Sequence, residues 1–263
     1  MRNILLTNDD GIHAAGLAAL EEALAGLGTL WTVAPLAEMS ATSHAISLRK
    51  PLRFEELGER RFAVEGTPAD AVILALHKLL PRLPDLVIAG INRGGNMGEN
   101  IFYSATVAAA VEAALNRLPA FAISVATRAD DRYGVSAAFA ARLAATILRE
   151  GLPRGVVLNV NVPEPWRNGV RFTRQSEKIT RNVLVENVDP RGRTYYWVHE
   201  QVDLSDVEPD TDYAAVLEGS ISVTPLSTGR TDPAARKALA GWALELHNLT
   251  LADSRAQGLA SAD

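Results

Sequence analysis

Hydrophobic periodicities of strand and helix type alternate along the first 163 residues, which predicts an α/β fold: a mainly parallel sheet with helices on both sides. Two further observations agree. Leu86-Val87-Ile88-Ala89-Gly90-Ile91 is an unbroken apolar run, as expected of a strand buried on both faces. After Pro163 the alternation gives way to β-type stretches around Asp189-Pro190-Arg191-Gly192, strong turn chemistry that predicts a long hairpin.

The elements follow in order. Ile4-Leu5-Leu6 is a first apolar strand running into Thr7-Asn8-Asp9-Asp10-Gly11-Ile12. Leu17, Leu20, Leu24 and Leu27 recur at helical spacing on one amphipathic face, and Gly28 can stop that helix. Leu30–Ala34 reads as a second strand closed by Pro35. Thr67-Pro68-Ala69-Asp70 is a helix start, with Thr67 as N-cap, Pro68 in the first turn and Asp70 reaching back; Val72, Leu76 and Leu79 follow on one face. After the Leu86–Ile91 strand come a helix through Val107, Val111 and Leu115, a strand at Phe121–Val125, a helix through Phe139, Leu143 and Ile147, and a strand at Val156–Val162. Val183–Val185, Tyr195–Val198 and Ser220–Thr224 are β-type, with an acidic loop near Asp203–Asp212. Thr231-Asp232-Pro233 opens a last helix with the face Ala235, Leu239, Trp242 and Leu246, and the polar residues Ser254–Asp263 are expected to fray.

A chain of 263 residues with 48% hydrophobic and 22% charged residues can bury a full core. A net charge of −5 gives no general affinity for duplex nucleic acid or anionic membranes. The absence of cysteine excludes disulfides, thiolate nucleophiles and Cys-based zinc sites. With no signal-like segment and no apolar stretch near the ~20 residues that span a bilayer, a cytoplasmic protein is expected.

Candidate chemistry gathers in loops that leave the carboxyl ends of strands, where open α/β sheets bind ligands. Asp9 and Asp10 are adjacent carboxylates, costly to keep ionised together without a counter-charge. A hard divalent cation such as Mg²⁺, Mn²⁺ or Ca²⁺ resolves that cost, while a plain solvated Asp-Asp-Gly turn is the alternative. Glu38-Met39-Ser40-Ala41-Thr42-Ser43-His44 follows the second strand and brings small hydroxyls beside the Asp pair if the two strands are neighbours; a plain Ser/Thr loop is the alternative. Gly90-Ile91-Asn92-Arg93-Gly94-Gly95-Asn96-Met97-Gly98 follows the buried strand with the glycine content of an anion nest. It matches neither a Walker A loop nor a dinucleotide fingerprint. Tyr103-Ser104-Ala105-Thr106 precedes a helix, where amides and hydroxyls attract phosphate and where helix capping is the compatible alternative.

In the order TNDDGI (7–12), VAP with the Ser40–His44 loop, GTPAD (66–70), GINRGGNMG (90–98), YSATV (103–107), DPRGRTYYW (189–197), Thr211-Asp212 and SVTPL (222–226), the chain resembles the SurE survival proteins, metal-dependent 5′-nucleotidases. The resemblance implies a three-layer α/β/α sandwich with an extended C-terminal β-hairpin arm that builds homodimers by arm exchange and, in some members, homotetramers. It implies one divalent metal ion per subunit, Mg²⁺ or Mn²⁺, held by Asp9, Asp10, Ser40 and Asn92. Asn96, Ser104 and Thr106, with Gly95 and Ser43, would line the phosphate pocket, and Asp9, Asp10, Asn96 and Ser104 would be catalytic. Residues 1–165 would form the nucleotidase core. Residues 166–263, with the arm at about 175–200 and the terminal helix, would complete the same domain and the oligomer interface. Ser43 and Ala105 stand where the family commonly has glycine, and Met39 where a polar or basic residue is frequent; these departures bear on substrate range.

The expected activity is hydrolysis of nucleoside 5′-monophosphates to nucleoside and inorganic phosphate, with a metal-activated water attacking phosphorus. A non-catalytic nucleotide- or phosphate-binding regulator, or a stress-linked interaction protein acting through the arm, would carry the same motifs without turnover.

Overall fold

The computed structural model describes residues 2–127, 132–177, 180–205 and 207–240. Trp242, Leu246 and the tail beyond Ser254 lie outside the described residues. By internal contacts the chain divides into Met1–Thr228 and Gly229–Asp263.

The first unit is built on β1 (Asn3–Thr7), α1 (Ala15–Leu24), β2 (Thr29–Pro35), β3 (Phe54–Gly58), β4 (Arg61–Val64), α2 (Pro68–Leu74), β5 (Leu86–Arg93), α3 (Ala105–Leu115), β6 (Ala120–Val125), α4 (Gly134–Glu150), β7 (Val156–Val162) and β8 (Val170–Phe172). The arm strands β9 (Thr180–Val188) and β10 (Thr194–Val202) come next, then α5 (Asp212–Leu217) and β11 (Ile221–Ser227). Nine strands form one sheet in the order β3-β4-β2-β1-β5-β6-β7-β11-β8. Its pairs are parallel except β3 with β4 and β7 with β11, so the expected mainly parallel sheet is what forms.

Alternation along the strands sorts the core into two layers. Ile4, Leu6, Ile88 and Phe121 face Leu17 and Leu20 of α1 and Ala140 of α4. Leu5, Val87, Ala89 and Ala122 face Val72 of α2 and Val107 and Ala110 of α3. The result is the α/β/α sandwich. The α2 start forms as expected: Asp70 N–H donates to Thr67 Oγ1 at 3.1 Å and Thr67 N–H to Asp70 Oδ2 at 2.9 Å. Helix α1 ends at Leu24, earlier than its apolar face suggests, and Leu27 N–H closes a turn on Leu24.

The hairpin spans Thr180–Val202, somewhat later than about 175–200. Asp189 Oδ1 accepts the N–H groups of Arg191 and Arg193 at 2.8 and 2.9 Å, and Gly192, at φ +80°, completes the turn. Tyr195 and Trp197 share one face in an edge-on contact, with Tyr196 on the other. All of β10 is exposed. Strands β3, β4 and β8 and helix α5 carry too little periodicity to be anticipated. In the second unit, α6 (Pro233–Leu239) is capped by Asp232, whose Oδ1 accepts from Ala234 and Ala235 N–H at 2.7 and 2.9 Å.

Candidate metal and phosphate site

The sheet order brings the chemistry-bearing loops side by side. From β1 the chain first moves to β2 on one side and later returns to β5 on the other. That reversal is a topological switch point, and a crevice opens there at the strands' carboxyl ends. Asp9 and Asp10 leave β1, the Glu38–His44 loop leaves β2, and Asn92 and Arg93 close β5. The condition that the first two strands be neighbours is met: β1 pairs with β2, and Met39 N–H donates to the Asp9 carbonyl at 2.7 Å. Gly90 permits the shape of the β5 end. Its φ is +140°, and a Cβ there would meet the Ile123 carbonyl oxygen at 2.3 Å.

Asp9 is 4% exposed, and its Oδ1 accepts a hydrogen bond from the Thr106 hydroxyl. Burial pushes its carboxyl up from 3.8 to about 6; the Thr106 hydroxyl opposes this, and the charges of Asp10 and Glu38 add to it. Asp10 is half-buried and raised too, first by burial, against the N–H of Arg93, which donates to Oδ2 at 3.3 Å. Among the described residues no cationic side chain pairs with Asp9.

That electrostatic deficit and the donor set fit a hard cation. Asp9, Asp10, the Ser40 hydroxyl and the Asn92 amide offer oxygen alone, the chemistry of Mg²⁺ or Mn²⁺ rather than softer metals. Asn92 Nδ2 donates to the Gly94 carbonyl at 2.7 Å, which leaves its Oδ1 as an available acceptor. Ser40 is exposed, and its hydroxyl donates to Glu38 Oε1 at 2.7 Å, so its lone pairs also remain available. Beside Asp9, the buried Asn8 Oδ1 has no hydrogen-bond partner. Among the described residues no group of three or more His, Cys, Asp or Glu side chains could hold a metal. A cation held here would need the neutral oxygens of Ser40 and Asn92 beside the two carboxylates.

The expected phosphate residues divide. Ser104 caps α3, accepting from Val107 N–H at 3.1 Å, and its own proton remains to donate. Ser43, at φ +52°, is tied to the turn before α3: its N–H donates to the Tyr103 carbonyl at 3.0 Å and its hydroxyl to that of Phe102 at 2.7 Å. Gly95 is half-buried, close against Met97 and Ala126. Thr106 differs from expectation, since it is wholly buried and its hydroxyl serves Asp9 rather than an open pocket. Asn96 is buried as well, and its Nδ2 donates to Ser124 Oγ at 2.9 Å. Its peptide is held by β7, with Asn96 N–H donating to Asn161 Oδ1 at 2.8 Å and the Asn96 carbonyl accepting from Asn159 and Asn161 at 2.7 and 3.0 Å. His44 Nε2 is paired with Glu112 Oε2 of α3 at 2.8 Å.

Glu38, Ser124, Asn159 and Asn161 also lie at the site, outside the residues that the motifs single out. A signal for the last two exists: Asn at alternate positions of a buried strand puts two amides on one face, where they need a polar partner.

An open, mostly parallel α/β sheet with a cluster of oxygen donors and a glycine-rich loop at its switch point has the layout of a ligand-binding α/β protein. The family model for survival protein SurE matches residues 4–182. A 5′-nucleotidase SurE of Geobacter sulfurreducens is 49% identical over 248 residues, covering 92% of this chain and 94% of that protein. One of Geotalea uraniireducens is 47% identical over 246 residues, covering 92% and 99%. The crystal structure of the SurE protein from Aquifex aeolicus superposes with a TM-score of 0.82 at 36% identity, covering 90% of this chain and 98% of that one. The chain belongs to the SurE family.

Proposed function

We propose that this chain is a metal-dependent 5′-nucleotidase that hydrolyses nucleoside 5′-monophosphates to nucleoside and inorganic phosphate. The observation that carries the reading is Asp9: a buried carboxylate beside a second one at the switch point, paired with no cation among the described residues. Relatives named 5′-nucleotidase SurE, matched over more than nine-tenths of this chain, support it.

Asp9, Asp10, Ser40 and Asn92 would hold one divalent ion, Mg²⁺ or Mn²⁺. Such an ion, when bound, supplies Lewis-acid polarisation and neutralises phosphoryl charge. The remaining steps belong to the chain itself. Ser104 and the N–H groups in the first turn of α3 would face an anion with donors, and within the glycine loop, whose Gly94, Asn96 and Gly98 N–H groups are spent on Val125, Asn161 and Asp212, those of Gly95 and Met97 would add to them. Asn96 and Ser104 would hold the equatorial phosphoryl oxygens as charge spreads in a loose transition state. Thr106 keeps Asp9 oriented and favours its ionised form. The subunits would pair through the exposed arm as homodimers, and the protein would work in the cytoplasm.

Release of inorganic phosphate from a panel of nucleotides, with EDTA and with Mg²⁺ or Mn²⁺ restored, tests the reading. Turnover of 5′-monophosphates that stops in chelator and returns with metal is expected; full activity in EDTA after dialysis overturns the mechanism.

A further inference from the structure

Asp212 is a carboxylate with 0% exposure, far from Asp9 in sequence and not a member of the metal set. It receives four hydrogen bonds. Its Oδ1 accepts from Ser176 N–H at 3.0 Å, the Ser176 hydroxyl at 2.5 Å and Tyr213 N–H at 2.9 Å, whereas its Oδ2 accepts from Gly98 N–H at 3.0 Å. The other side of the Gly98 residue is held too, since Gln175 Nε2 donates to its carbonyl at 2.8 Å. The C-terminal segment therefore grips both polar groups of one glycine in the anion loop.

The place of that glycine matters. Gly98 lies two residues after Asn96 and opens the 3₁₀ turn Gly98–Phe102, which runs directly into the Ser104 cap of α3. One end of the loop is pinned by Gly94 N–H to the Val125 carbonyl at 3.0 Å and its middle by Asn159 and Asn161. Its far end rests on Asp212 and Gln175. A shift of Gly98 would move Asn96 and Ser104 relative to each other, and transition-state donors lose their effect when displaced by a fraction of an ångström.

We propose that Asp212 is a positioning residue for phosphoryl transfer, fixing the spacing between Asn96 and Ser104 by clamping Gly98. This rests on the reading of Asn96 and Ser104 as phosphate donors. It gives the segment that carries the arm a direct mechanical link to the site.

The test exploits the asymmetry of the carboxylate. In Asp212→Asn the amide oxygen takes the three donors from Ser176 and Tyr213, which turns the NH₂ group against Gly98 N–H and breaks that link alone. The expected result is a fall in kcat of about 10- to 100-fold, as for supporting residues around a site. KM should stay within about threefold, because ground-state binding is little changed. Ser176→Ala is the control for a purely structural role. It removes a bond to the same carboxylate while keeping Gly98 held, so it should lower the melting temperature with near wild-type kcat. Gln175→Ala, which frees only the Gly98 carbonyl, should lower kcat severalfold and keeps the proposal testable if Asp212→Asn does not fold. Wild-type kcat in Asp212→Asn or Gln175→Ala, or equal kcat losses in Asp212→Asn and Ser176→Ala, overturns the clamp. Asn96→Ala measured alongside separates the two failures. If it leaves kcat intact, the pocket reading is wrong; if it lowers kcat while Asp212→Asn does not, only the clamp is wrong.

Discussion

At Asp9, burial and function pull in opposite directions. The folded protein holds this carboxyl at about 6 against 3.8 for an ordinary aspartate, so folding favours its protonated form. Below pH 3.8 the group costs nothing. As pH rises from about 4 to 6 the unfolded chain ionises first and stability falls, by on the order of 3 kcal/mol once pH exceeds 6. Metal-free protein should therefore lose stability across that interval, while Asp9→Asn should show a flatter profile and be the more stable protein at pH 7 in EDTA, yet inactive with metal present. Urea melts at pH 4.5 and 7 check the first part, and phosphate release the second. A steeper decline in Asp9→Asn than in the parent would refute the assignment. Thr106→Val keeps the volume of a wholly buried side chain but removes the proton donated to Asp9. It should lower kcat by about 10- to 100-fold and raise the metal concentration needed for half-activity, read by a Mg²⁺ or Mn²⁺ titration.

Packing of helices on strands leaves these residues little room to shift, and Gly16 shows how tightly. A Cβ there would sit 2.1 Å from the Ile91 carbonyl oxygen, where the first turn of α1 meets the end of β5 just before Asn92. Gly16→Ala should cost about 1–3 kcal/mol of stability as α1 is pushed off the strand, with a larger proportional loss of activity. Chemical denaturation beside a rate assay measures both. At this scale the sequence was most readable where periodicity was long. Helix α4 and strands β5 to β7 lie where their apolar patterns put them. Strand β3, Phe-Glu-Glu-Leu-Gly, is an exposed edge strand with no apolar alternation, and β8 and α5 are too short to leave a period. The site was legible as a set of loops, because a strand's carboxyl end is recognisable from its last apolar residue. The partner of Thr106 was not. That hydroxyl meets Asp9 only because α3 starts over β1, a fact of packing between residues 97 positions apart.

For the whole molecule, assembly turns on the arm. Two strands of nine residues carry Leu184, Tyr196 and Trp197 at 56–64% exposure, and an isolated ribbon has too little core to stand alone in water. Exchange of this arm between identical subunits should hold the protein as a dimer or tetramer. Replacing residues 180–200 with a short Gly-Ser turn should yield a monomer by light scattering or sedimentation. A monomeric full-length chain, or a deletion that stays dimeric, would remove the arm from the interface.

The strand that follows the arm carries a consequence for biosynthesis. β11 is the last strand of the nine-stranded sheet to leave the ribosome, and it covers β7 from Val156 to Asn161 before β8 can pair on its far side. Until Ser227 has emerged, a nascent chain that has already formed β1 to β7 displays an apolar strand with a row of unsatisfied backbone groups, a template for association between unfinished chains. Over some sixty residues of elongation, from the end of β7 to the end of β11, the nearly built chain should be most prone to associate. A fragment ending at residue 165 should partition into the insoluble fraction on expression, whereas the full chain with its arm replaced, its last strand intact, should remain soluble.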